Sequence, residues 1–118
     1  MTRPAPRARS DDELSRRLTE VLRTAPGVVD VFDARPLAEG VARAVAEGLD
    51  LVPPAGLVDV SGDEGHSTAA AHVATDVGRP APEVLAGAAA LLRQHLAELG
   101  EDASTWTVRV TVRLVDGR

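Results

Sequence analysis

Apolar and polar residues alternate strictly through STWTVRVTVRLVD, residues 104–116. Trp106, Val108, Val110, Val112 and Leu114 fall on one side; Thr105, Thr107, Arg109, Thr111 and Arg113 fall on the other. That is the period-two signature of a strand with one buried face. DDELSRRLTEVLRT, residues 11–24, instead repeats at helical spacing, with Leu14, Leu18, Val21 and Leu22 in one narrow stripe. Ser10 or Asp11 can cap it, and its acids lie in the first turn, where the helix dipole favours them.

Ala-Pro-Gly at 25–27 breaks this helix, and GVVDVFD at 27–33 has the length and content of a strand. Residues 34–52 return to a helical pattern, with Leu37, Val41, Ala44, Val45 and Leu49 on one face, until Pro53-Pro54 stops it. GLVDVSGDEGHSTAAAHVATDV, residues 56–77, reads as a β-hairpin turning at Ser-Gly-Asp-Glu-Gly. On its second arm Ser67, Ala69, Ala71, Val73, Thr75 and Val77 form the expected buried set, and His66, Thr68, Ala70, His72, Ala74 and Asp76 face out. The longest helix is expected at about 81–99. Pro80 and Pro82 stand at its entry, Val84, Leu85, Ala88, Ala89, Leu92, Leu96 and Leu99 on its apolar face, and Gly100 at its C-cap.

The predicted order is therefore α-β-α-β-β-α-β. Helices packed on one face of a small, mostly antiparallel sheet give a two-layer α+β sandwich. The long helix is expected to roof the Trp/Val/Leu side of the last strand. The other sheet face is left in water, carrying Arg109, Thr111 and Arg113, with Thr68 and His72 beside them if the hairpin joins the same sheet.

Composition narrows the functional classes. The chain has 118 residues, enough for one ordinary domain, read as 11–118 behind a disordered basic tail at 1–10. Aromatics are nearly absent, so a base-stacking surface is not expected. Net charge is -5, and the three tail arginines, Arg3, Arg7 and Arg9, leave a strongly acidic body. Such a body is a poor match for a phosphate backbone, so no nucleic-acid partner is expected. With no cysteine there is no disulfide and no thiolate chemistry. No membrane-spanning run or signal sequence is read, so a cytoplasmic location is expected.

Catalytic patterns are missing. Ser61, Ser67 and Ser104 stand in no G-x-S-x-G elbow, and neighbouring acids such as Asp11, Asp12 and Glu13 are explained by helix capping. His66 and His72 lie six apart on one strand, about 20 Å by strand rise, too far to share a metal, and His95 is on a helix flank. Gly62-Asp63-Glu64-Gly65 has the G-x-x-G shape of an RNA-clamping KH loop, but it is acidic and sits in a strand turn. No enzyme, cofactor or metal site is expected. A KH-like nucleic-acid-associated domain, or a ligand or metal sensor built on the histidines, remains the alternative. The candidate docking face is Arg109, Thr111, Arg113, Thr68 and His72. Its two guanidiniums offer fork donors to carboxylates, and its threonines offer hydroxyls.

Three stretches carry a resemblance. They are V-L-R-T-A-P-G-V-V-D-V at 21–31, A-T-D-V-G-R-P-A-P-E-V at 74–84 and W-T-V-R-V-T-V-R-L-V-D at 106–116. Together they resemble the alkaline shock protein family of bacterial envelope-stress proteins. The family pattern is a helix ending in a Pro-Gly-Val turn, a strand pair, a Pro-x-Pro-Glu-Val-like entry to a helix, and a Val-alternating closing strand. The likeness spans most of residues 14–116. Two departures stand out: residues 36–50 look helical where the family has a glycine-containing strand-like region, and Glu-Asp-Ala-Ser-Thr precedes the last strand. The resemblance implies a short, divergent, actinobacterial-style member. It further implies a non-enzymatic cytoplasmic protein that self-assembles or reaches the membrane through an anchored partner in envelope stress, with no catalytic residues to carry over.

Overall fold

A computed structural model describes residues 11–34, 45, 48, 49, 56–63 and 65–116. Helix α1 spans Asp11–Arg23 and is followed by strands β1 (Val28–Phe32), β2 (Asp59–Asp63) and β3 (His66–Asp76). Helix α2 (Ala81–Glu98) then leads through a short 3-10 turn (Ala103–Thr105) to β4 (Trp106–Asp116). The basic tail at 1–10 lies outside the described residues, as does most of the helix expected at 34–52. At its described positions Val45 and Gly48 are helical, and the Leu49 amide donates to the Val45 carbonyl at 3.1 Å. Val45 and Leu49 are 57% and 64% exposed, so these members of the expected apolar face do not enter the core.

The α+β sandwich has its two described helices on one side of a four-stranded sheet. β3 is the centre. β2 pairs antiparallel with its first half and β1 antiparallel with its second, while β4 runs parallel along its other side. The hairpin is as expected, closed at Asp63↔His66, with Gly65 in a left-handed conformation at φ 78°. Parallel pairing of β3 with β4 needs a crossover connection, and helix α2 supplies it.

Both helices contribute leucines to one cluster. Leu14, Leu18 and Leu22 of α1 and Ala88, Leu92 and Leu96 of α2 cover Val31, Val58, Ala69, Ala71, Val73, Trp106 and Val108. Small alanines on the central strand let the helices lie close, and the leucines fill the space. Helix α2 ends in a Schellman closure: the Gly100 amide donates to Ala97 and the Glu101 amide to Leu96, both at 3.0 Å, with Gly100 at φ 87°.

Three burial expectations on the strands are overturned. Val77 lies beyond the end of β3 in a turn and is 57% exposed. Leu114 is 55% exposed because the β3–β4 register shifts: Val73 pairs with Val112, but Ala74 pairs with Leu114. The extra residue, Arg113, forms a bulge that reverses the alternation beyond it. Ala74, expected to face out, is nevertheless buried.

Candidate interaction face

The register sorts the side chains of the sheet into two faces. Ala69, Ala71, Val73 and Thr75 point to the helices and are fully buried. Residues between them must point the other way. Opposite partners share a face, so Thr68 stands beside Thr107, Ala70 beside Arg109, and His72 beside Thr111. From the other side Ser61 pairs with Thr68, Asp59 with Ala70, and Phe32 with His72. Thr68, His72, Arg109 and Thr111 thus meet on the side away from the helices, as expected.

Arg113 reaches the same face from the bulge. Its guanidinium carbon lies 5.6 Å from the centroid of the Phe32 ring, two strands away. This contact is a cation–π pair, and it joins β4 to β1 over the central strand. Nothing in the chain order places residue 32 beside residue 113, so the sequence alone gives Phe32 no role on this face. Among the described residues nothing pairs with Arg109, which is exposed. Thr111 and Arg113 are also exposed, whereas Thr68 and His72 are half-buried.

The three histidines are dispersed. His66 Nε2 lies 2.7 Å from the Thr107 hydroxyl at the sheet's open side. Among the described residues His72 Nδ1 is buried without a hydrogen-bond partner, and so is His95 Nε2 on α2. His95 Nδ1 lies 3.7 Å from Glu98. Among the described residues no three His, Asp or Glu side chains come together as a metal set.

A separate groove of about 540 Å³ runs along α1, lined by Arg16, Arg17, Thr19, Glu20, Arg23 and Leu57. At its floor α1 grips the chain entering β2. The Ser15 hydroxyl donates to the Val58 carbonyl. The Thr19 hydroxyl donates to the Ser15 carbonyl at 2.7 Å and accepts the Leu57 amide at 2.8 Å and the Val58 amide at 3.3 Å. Gly56 passes so close that a Cβ there would overlap the Ser15 backbone carbonyl. These polar residues are buried because they satisfy backbone groups that have no strand partner there.

The fold and face define a class: a two-layer α+β domain with the described helices on one sheet face and, on the other, Arg109, Arg113 and several hydroxyls beside the acids Asp30 and Asp59. Compared against models of protein families, curated proteins and solved structures, the chain finds no match. No helix among the described residues is long and apolar enough to cross a membrane.

Proposed function

We propose that this chain is a non-enzymatic interaction domain, similar in kind to the alkaline shock proteins, whose open sheet face docks an acidic protein surface. The supporting observation is the convergence of Arg109, Thr111, Arg113, Thr68 and His72 on the one sheet face that the helices leave bare. Guanidinium forks bind carboxylates bidentately, and Arg109 has no partner within the described chain. The first occupant is a second copy of the chain. Net charge is -5, and the first turn of α1 carries Asp11, Asp12 and Glu13. The Arg109 and Arg113 strip of β4 set against the acidic body of a second copy makes a head-to-tail contact, and a heterologous contact of that kind grows into a ring or filament. Recruitment to the membrane by an anchored partner during envelope stress follows from the same family likeness.

The test is the pair Arg109→Glu with Arg113→Glu. Light scattering across protein and salt concentration should show assembly in the parent chain that grows with protein and weakens with salt. The double reversal should abolish that salt-sensitive growth while lowering the thermal midpoint by no more than the few degrees that loss of the Arg113–Phe32 contact accounts for. Salt-sensitive growth that survives both reversals would remove the docking face from consideration.

A further inference from the structure

The two sides of β3 are finished differently. On one side stand two strands of five residues each, β1 interrupted by a register shift and β2 containing Gly62. On the other stands β4, a single strand of 11 residues that pairs only with β3 among the described residues. Its outer row of amides and carbonyls has no partner strand there. Proteins blunt such edges with Pro, Lys, inward-pointing charge, bulges or brevity. From Trp106 to Val112 β4 has no Pro, Gly or Lys, and its single charge, Arg109, points away from the helices. The bulge comes only at Arg113.

The helix side of this edge is also incompletely covered. Trp106 and Val108 are buried, but Val110 and Val112 are half-buried and Val115 is exposed. The roof provided by α2 therefore fades along β4, and apolar surface runs out to the open edge. An added strand would cover that surface and satisfy the backbone row together.

We propose that the edge of β4 pairs antiparallel with β4 of a second copy, about a two-fold axis through Val110, making one continuous sheet. This rests on reading the chain as a self-associating interaction domain and names a second contact for it, at the edge rather than the face. A two-fold normal to the sheet keeps every residue on its own face, so helix-side residues meet only helix-side residues. With the axis at Val110, Val110 meets its own copy, Val108 meets Val112, Arg109 meets Thr111 and Thr107 meets Arg113. Moving the axis to Arg109 sets Arg109 against itself, and moving it to Thr111 sets Arg109 against Arg113. Like charges directly opposite are unfavourable. An axis at Val108 avoids that clash but overlaps far less of the strand.

A single-cysteine scan tests the register, because the chain contains no cysteine and any disulfide must join two copies. Directly opposite residues bring their Cβ atoms to about 4.5–5.5 Å, near disulfide reach, whereas diagonal neighbours are about 7–8 Å apart. Under mild oxidation Val110→Cys should cross-link roughly tenfold faster than Arg109→Cys or Thr111→Cys. Thr111 is exposed, so its variants keep the fold. Thr111→Arg should weaken the dimer roughly tenfold by facing Arg109 twice, and Thr111→Glu should strengthen it. The double arginine reversal should leave this dimer in place, so face docking and edge pairing fail separately. A native chain that stays monomeric at all concentrations, or cross-linking no faster at 110 than at 109 and 111, would overturn the proposal.

Discussion

Arg113 stacks on Phe32 from the far side of the central strand, guanidinium carbon to ring centroid 5.6 Å. The contact fastens the bulged end of β4 to β1 where the central strand carries the buried Ala74, which pairs with Asp30 on one side and Leu114 on the other. A double-mutant cycle with Phe32→Leu and Arg113→Ala should return a coupling of about 0.5–1 kcal/mol, the range for an exposed cation–π pair. Additive effects in urea unfolding would show that the two side chains do not support each other. Arg109→Ala, with no partner among the described residues to lose, should leave stability within about 0.5 kcal/mol of the parent.

Trp106 is the largest side chain at the junction of β4 and α2, only 9% exposed, with its indole N–H donating to Glu101 at 3.3 Å. Trp106→Ala should cost about 3–5 kcal/mol. An unchanged melting curve would contradict the burial of this end of the sheet.

The α1 grip on residues 56–58 gives two further expectations. Thr19→Val keeps the shape but strands the Leu57 and Val58 amides, at a cost of about 1–3 kcal/mol. Gly56→Ala forces the chain off the Ser15 carbonyl and should cost about 1–3 kcal/mol, as overpacking does. Chemical denaturation of both variants checks this. A Gly56→Ala protein as stable as the parent would mean that the chain and α1 do not touch here.

Asp102 caps the turn before β4, accepting the Ser104 hydroxyl at 2.8 Å and the Ser104 amide at 3.0 Å. These hydrogen bonds, the hydroxyl first, hold its carboxyl below the usual value of 3.8. A depressed carboxylate stabilises the fold above its unfolded pKa, and that stabilisation disappears as pH falls through the folded value. Ser104→Ala removes the hydroxyl and keeps the amide, so an NMR titration should show the Asp102 pKa rising toward 3.8. The stability gap between variant and parent should close as the medium is acidified. An Asp102 titration unmoved by the substitution would assign the shift to another cause.

Much of this arrangement is legible in the chain because its signals are periodic. The alternation at 66–76 and 106–112 places Thr68, His72, Arg109 and Thr111 on one face, and the register agrees. The bulge at Arg113 escapes such reading: Val-Arg-Leu continues the pattern, the apolar pair Leu114-Val115 breaks it only one residue later, and Leu114 is consequently expected in the core. Ser15 and Thr19 read as polar neighbours of a leucine stripe. Their burial depends on backbone groups some 40 residues away, which no local pattern reveals. The parallel partnership of β3 and β4 needs the crossover that the intervening helix supplies, but a helix also leads into antiparallel partners, so the connection alone does not specify the direction.

The central ribbon is built before one of its neighbours exists. β3 leaves the ribosome with β1 and β2 already available to it, but its other border waits for β4, made 30 residues later. Until Trp106 and the valines behind it emerge, an alanine-lined margin stays open to any extended stretch nearby, so the period most exposed to mispairing is the synthesis of α2.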